Sequence, residues 1–149
     1  MAKRMGLARI EALIENLKRD INLGGSKVTS KKQITPITGD TTLTTDDSGA
    51  VYLIAQGSST ITITMPTAST STGCFFTFIV GSTGSAVVNI SCSGVRGETF
   101  GAAIEAINNA MVQISATART RGDRVDLFCD GVYYYAQATA HDVAHITIS

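Results

Sequence analysis

Apolar positions at the start of the chain follow a helical period, and those after residue 40 follow the period of strands. Within residues 5–23, apolar side chains recur at alternating intervals of three and four: Leu7, Ile10, Ile14, Leu17 and Ile21. This heptad seam predicts an amphipathic α-helix that ends at the glycines of positions 24 and 25. Because no later segment has this period, the seam lacks a helical partner in the chain and predicts contact with another chain.

The remainder of the chain carries the alternation and the turn signals of a β structure. Residues 60–65 alternate strictly, with Ile61, Ile63 and Met65 on one face, and Pro66 ends the run. Strands are predicted over residues 41–45, 50–55, 60–65, 74–80, 86–92, 111–118, 124–129, 132–138 and 143–148. Residues 101–110 are predicted as a helical turn or a long loop. We therefore expect a mainly β fold, an antiparallel β-sandwich or jelly-roll-like body with an N-terminal amphipathic α-helix arm.

The same patterns divide the chain into three segments. Residues 1–25 are the predicted helical arm, residues 26–39 a polar linker, and residues 40–149 the β-sandwich body. No signal peptide is predicted, because an uninterrupted apolar region does not follow the basic start. No apolar run approaches the roughly 20 residues that a membrane span requires.

Charge is divided between the arm and the body, although the whole chain is neutral. Residues 1–32 carry eight Lys or Arg against three Asp or Glu, a net charge of +5. Residues 33–149 carry four against nine, a net charge of −5. A basic arm favours an acidic partner, and an ordinary solvated helix face is the alternative explanation. The basic flank that would contact this partner consists of Lys3, Arg4, Arg9, Lys18 and Arg19.

Residue types that catalyse reactions or bind metals form no recognisable motif. The three cysteines, Cys74, Cys92 and Cys129, are an odd number without a C-x-x-C pair, and they predict buried thiols in a reducing compartment. His141 and His145 bracket a predicted alternating strand, where four residues separate side chains by about 13 Å, too far to share one metal. We therefore expect no enzymatic activity, no cofactor and no metal site.

Two short motifs near the C-terminus have simpler explanations than ligand binding. Residues 121–123 spell the integrin-binding tripeptide Arg-Gly-Asp, but Gly-Asp is also typical of a turn between strands. Asp130-Gly131 predicts a two-residue hairpin, and three tyrosines follow it at residues 133–135. Few basic residues surround them, so we expect these rings at a sheet rim or a subunit interface rather than stacked on nucleic-acid bases.

The predicted helix needs support from outside itself, because an isolated helix of this length is marginal in water. That support would come from bodies that oligomerise beside it or from a larger receiving surface. Isoleucine occupies both kinds of seam position, at Ile10, Ile14 and Ile21, which favours a trimer over a dimer.

Three stretches of the body are similar to a known family. They are the run from Thr44 to Pro66, the strand GCFFTFIV, and the closing hairpin GDRVDLFCDGVYYYAQA. Together they resemble capsid decoration (cement) and head-fibre proteins of tailed bacteriophages, over about residues 40–138 in separate pieces. The resemblance implies trimers that sit on the assembled head and clamp neighbouring capsid subunits, without catalytic residues. The arm followed by Gly-Gly is similar to the anchoring segments of such proteins.

We therefore expect a structural virion protein on the capsid exterior, made in the host cytoplasm. Its body would form a homotrimer, and the seam and the basic flank of its arm would bind the major capsid protein. Direct contact with nucleic acid or a membrane is not expected. The main alternative is a host-attachment or fibre-tip module that binds a cell-surface glycan, and a small β-sandwich enzyme or lectin-like domain is a third hypothesis.

Overall fold

The computed structural model describes residues 32, 34–55, 57–99, 106–116, 119–142 and 144–148. Ten strands lie among them: β1 (Ile34–Ile37), β2 (Thr41–Thr42), β3 (Val51–Ile54), β4 (Ile61–Thr64), β5 (Phe75–Val80), β6 (Val88–Thr99), β7 (Ala106–Ile114), β8 (Arg124–Cys129), β9 (Tyr134–Thr139) and β10 (Ile146–Ile148). Two short 3₁₀ turns lie between strands that are consecutive in sequence: Thr45–Asp47 between β2 and β3, and Ala68–Thr70 between β4 and β5. The prediction of a mainly β fold is confirmed.

The first half of the body is built from parallel strand pairs in two groups. β1 pairs with β3 and β3 with β5, whereas β2 pairs with β4 and β4 with the first half of β6, all in parallel. Parallel neighbours need a crossover between them. Here each crossover contains a strand of the other group, so the chain alternates between the two groups. We call the three successive strand pairs along the chain, β1 with β2, β3 with β4 and β5 with β6, the coils.

The second half of the body adds antiparallel strands to both groups. β8 pairs with β5 and β9 with β8 in one group, and β7 pairs with β6 and β10 with β7 in the other. Five of the nine described strand pairs are parallel, so the sheet is mixed. The expected antiparallel pairing therefore holds for four strand pairs, β5–β8, β8–β9, β6–β7 and β7–β10, and is wrong for the other five.

Strand β6 joins the two groups. Residues 88–91 pair with β4, and after an irregularity between Ser91 and Val95 the rest of the strand pairs with β9. Strands commonly pass from one sheet to another at such bulges. Buried side chains of both groups, among them Phe78 and Val125 from one and Ile63 and Ile90 from the other, belong to a single hydrophobic core.

Several predicted boundaries differ from the observed ones. Residues 34–37, predicted as part of the linker, form β1, and residues 106–110, predicted as a helical turn or loop, belong to β7. Ala144 and His145, predicted within the last strand, lie before it, since β10 begins at Ile146. Residues 1–31 separate from residues 32–149 as a distinct unit, and the predicted helical arm lies outside the described residues.

Two tyrosines of the core are buried with their hydroxyl groups hydrogen-bonded to backbone carbonyls. Tyr134 donates to Pro66 O at 2.8 Å, and Tyr52 donates to Asp47 O at 3.3 Å. Burial raises the pKa of Tyr134 to about 12. Burial, followed by the charge of Asp47, raises the pKa of Tyr52 to about 12 as well.

The backbones of β6 and β9 approach each other closely at Gly97. A Cβ atom added at Gly97 would overlap the carbonyl oxygen of Ala136 and lie 3.0 Å from its Cβ. We expect Gly97→Ala to lower the free energy of unfolding by about 1–3 kcal/mol, because the two strands must separate to admit the methyl group. Denaturant unfolding measures the effect. Gly39→Ala is the control, since nothing lies within 4 Å of its added Cβ, and an equal loss in both variants would contradict the close approach.

We also expect stability to fall as the pH rises from about 10 to about 12. The unfolded tyrosines lose their protons near the ordinary pKa of 10.0, whereas folded Tyr52 and Tyr134 keep theirs to about 12. The folded state is therefore favoured below pH 10, and this contribution is lost through that interval. Unfolding curves recorded between pH 8 and pH 12 test this. Tyr134→Phe should flatten the alkaline decline, and an unchanged slope would count against the role of Tyr134.

Candidate functional site: an exposed aromatic row

Three aromatic side chains stand next to one another on the outer face of the body. Phe75 of β5 lies opposite Phe128 of β8, and Phe128 lies opposite Tyr135 of β9. They are 44%, 51% and 42% exposed, respectively. We call Phe75, Phe128 and Tyr135 the aromatic row. Contiguous exposed apolar surface of this kind marks interaction sites more often than isolated apolar residues do.

The row follows from the two-residue period of its strands. In β8 the side chains of Val125, Leu127 and Cys129 are buried, which places Phe128 on the opposite face. In β9 the ring of Tyr134 is fully buried, so the next ring, Tyr135, points outward. The core thus fixes which aromatic residues are exposed.

Both ends of the β5–β8 pair are closed by bulges with a left-handed glycine. Gly73, with φ +81°, donates to Cys129 O at 2.8 Å, and Cys129 donates to Cys74 O at 2.9 Å. At the other end Gly122, with φ +96°, donates to Val80 O, and Val80 donates to Asp123 O. Each bulge sets two residues opposite one. A shift of β5 along β8 would break the hydrogen bonds of both bulges. The bulges therefore fix Phe75 opposite Phe128.

Polar side chains border the row on the next line of cross-strand neighbours, Thr77, Asp126 and Gln137. The Asp126 carboxylate accepts a hydrogen bond from the Thr77 hydroxyl at 2.7 Å. It also pairs with the Arg124 guanidinium through two contacts of 2.7 and 2.8 Å. The charge of Asp126 is thereby matched within the protein.

A cation lies at each end of the row. Lys32 Nζ is 5.5 Å from the centre of the Phe75 ring. At the opposite end Arg96, the β6 neighbour of Tyr135, places its guanidinium carbon 3.8 Å from the centre of the Tyr133 ring. Both distances are within the range of cation–π attraction.

The hairpin loop between β8 and β9 orients Tyr135. The Asp130 carboxylate accepts hydrogen bonds from the backbone N–H groups of Val132 and Tyr133, both at 2.7 Å, and from the Tyr135 hydroxyl at 3.0 Å. The N–H groups of Tyr133 and Val132 lower the pKa of Asp130, and the bond to Asp130 raises the pKa of Tyr135. The connection spans residues 130–133, so the predicted hairpin is confirmed at four residues rather than two.

A groove of about 310 Å³ runs along the row on the outer face. Its walls include the row, Lys32, Arg124 and Asp126. The arrangement offers flat apolar rings, hydrogen-bonding groups and positive charge within one shallow site.

The structure describes only some of the site residues predicted from the sequence. Leu7, Ile10, Ile14, Leu17 and Ile21 of the seam and Lys3, Arg4, Arg9, Lys18 and Arg19 of the basic flank lie outside the described residues. Of the three tyrosines, Tyr134 is buried in the core, whereas Tyr135 belongs to the row. Sequence reasoning missed Phe75 and Phe128, although both break the rule that the apolar residues of an alternating strand share one face.

A second cluster, at the C-terminal end of the body, is buried. His145 Nδ1 lies 2.7 Å from Asp123 Oδ2, and the side chains are 7% and 3% exposed. The Asp123 carboxylate also accepts from the backbone N–H groups of Thr120 at 2.7 Å and His141 at 3.0 Å. Asp123 thus ties the turn before β8 to the segment before β10, and it is not displayed for adhesion.

The two histidine rings are closer than the sequence predicted. Their centres are 6.2 Å apart, because the backbone turns between them and His145 N–H donates to Asp142 O at 3.1 Å. The prediction of about 13 Å rested on an extended strand and is wrong. In the part of the chain that the structure describes, no group of three or more His, Cys, Asp or Glu is arranged to hold a metal ion.

The three cysteines are free thiols. Cys92 and Cys129 are buried, and Cys74 is half-buried beside the bulge. Burial, with a smaller contribution from Cys129, raises the pKa of the Cys92 thiol to about 12. The prediction of core thiols is confirmed for Cys92 and Cys129.

No protein-family model matches the chain, and no curated protein sequence matches it. Among the described residues, no helix is both long enough and apolar enough to cross a membrane.

We expect Asp123→Asn to lower the free energy of unfolding by about 1.5–3 kcal/mol, because an amide cannot accept all three hydrogen bonds of this buried carboxylate. Denaturant unfolding at neutral pH measures the change. Asp46→Asn is the matched control, since Asp46 is exposed in a 3₁₀ turn. Equal stability of the two variants would contradict the structural role of the Asp123–His145 pair.

Proposed function

We propose that this protein is a structural virion protein, a capsid decoration protein of a tailed bacteriophage. Its β-sandwich body forms a homotrimer, and its N-terminal arm binds the major capsid protein on the exterior of the head. The protein is made in the host cytoplasm, has no catalytic role and contacts neither nucleic acid nor a membrane directly.

The division of the chain into two units is the observation that carries this proposal. Residues 32–149 form a compact unit separate from residues 1–31, and the described body has its own hydrophobic core. The seam has no helical partner elsewhere in the sequence, which supports an arm that binds another chain. In this proposal the arm binds the capsid and the body is exposed on the outside of the head.

Charge and valency support the same division of roles. Residues 1–32, the arm and the start of the linker, have a net charge of +5, which favours an acidic capsid surface and speeds association with it. One short amphipathic arm binds weakly by itself. Three arms on one trimer would bind the head with much higher avidity, since the second and third contacts become intramolecular.

We expect the double variant Ile10→Asp, Ile14→Asp to bind preformed heads at least about 100-fold more weakly than the unaltered chain. Each buried isoleucine contributes about 1.5–3 kcal/mol to such a contact. Sedimentation of the protein with heads that lack it measures binding. Glu11→Gln with Glu15→Gln is the control, since it alters polar positions of the same segment.

Two outcomes would contradict the proposal. Undiminished binding after the Ile10 and Ile14 changes, or after removal of residues 1–25, would exclude arm docking. A solution mass of 15.6 kDa, the mass of one chain, instead of three times that value would exclude the trimer. Circular dichroism of each variant checks that the β body is retained.

A second candidate function is host attachment through a cell-surface glycan. The exposed aromatic row, with a cation at each end, favours it. In this case the arm would join the body to a fibre or spike rather than to the head shell.

A further inference from the structure

We propose that the aromatic row, together with Lys32 and Arg96, forms a binding site for an acidic saccharide. Sugar rings would lie with their C–H faces on Phe75, Phe128 and Tyr135, and a carboxylate of the saccharide would pair with the cation at one end. This inference goes beyond the decoration role and does not depend on it. It holds equally for a body displayed on a head and for one at the tip of a fibre.

The dimensions of the row suit a short oligosaccharide. Neighbouring strands are about 4.8 Å apart, so three rings on three strands span about 10 Å, roughly the length of two linked sugar rings. The rings stand on a sheet whose register is fixed by the bulges at Gly73 and Gly122. A site prepared in this way loses little conformational entropy when it binds.

The charges select an acidic occupant over a neutral one. Residues 33–149 have a net charge of −5, yet Arg96 and Arg124, two of the four arginines in that span, lie at this face. Arg124 and Asp126 satisfy each other. Lys32 and Arg96 lie over aromatic faces at the two ends of the row, where they place positive charge beside the rings.

The shape and chemistry of the groove favour a saccharide over a protein segment. Its volume of about 310 Å³ is at the lower end of the range for small-ligand pockets, roughly 300–1,000 Å³. The cores of protein–protein interfaces are depleted of charged residues, whereas here charged and amide side chains lie directly beside the rings. Gln137, which lines the groove beside the rings, provides an amide that can hydrogen-bond a sugar hydroxyl.

The test uses the full chain and three acidic probes, sialyllactose, tetragalacturonate and a chondroitin sulfate oligosaccharide. Lactose and the methyl ester of tetragalacturonate serve as matched neutral probes. Titration calorimetry measures affinity at low and high salt. We expect at least one acidic probe to bind about tenfold or more tightly than its neutral counterpart, with the difference shrinking at high salt.

Two variants locate the site. Phe128→Ala should weaken binding of that probe by about tenfold, because it removes the central ring, whereas Ile34→Ala should leave it unchanged. Ile34 is the matched control, as an apolar side chain that is 66% exposed and outside the groove. Lys32→Gln should weaken the acidic probe by about threefold and leave the neutral probe unaffected.

Three results would overturn the inference. Absence of binding to all acidic probes excludes a saccharide site of this class, and equal binding of matched acidic and neutral probes excludes the role of the cations. If Phe128→Ala changes the solution mass or the binding to heads, the row is a protein contact instead. The arm variants at Ile10 and Ile14 test the decoration role separately, so failure of one proposal is distinguishable from failure of the other.

Discussion

The body depends on the backbone pairing of β6 along both of its edges. One edge of β6 pairs with β7, and the other pairs first with β4 and then with β9. A single strand therefore joins the parallel coils to the antiparallel strands. The passage to β9 requires the near-contact between Gly97 and the Ala136 backbone. A side chain at that point would push β6 and β9 apart and strain the pairing that joins the two groups. The aromatic row lies on the strands that this junction brings into register.

Local features of the fold were predictable from the sequence. The alternation of residues 60–65 identified β4 and its buried face, and the boundaries of β8 coincide with those predicted. Pairing partners were not predictable, because a two-residue period reports which face is buried and not whether the neighbouring strand is parallel. Strand β1 was missed because Pro36 and its polar neighbours are typical of a linker. They are equally compatible with a strand at the edge of a sheet.

The candidate site was predictable only in its parts. Tyr135 was identified as an aromatic residue suited to a rim or interface, but Phe75 and Phe128 are separated by more than fifty residues and meet only through the β5–β8 register. The same limit applies to Asp123 and His145, whose bond depends on the turn before β10. The seam and the basic flank of the arm remain predictions from sequence. What the structure adds is a second surface, on the body, whose chemistry differs from that of the arm.

In the coils of the body, the spacing between adjacent strands does not depend on the length of the chain that connects them. Ile34 pairs with Val51, and Val51 pairs with Thr77, so the second coil is nine residues longer than the first although the strands remain adjacent. The extra residues lie in the connections, where chain length has little effect on stability. Related proteins could therefore gain or lose loop residues between coils without moving the rings on the outer face. The scaffold is suited to diversification of its rim while the geometry of its outer face is inherited unchanged.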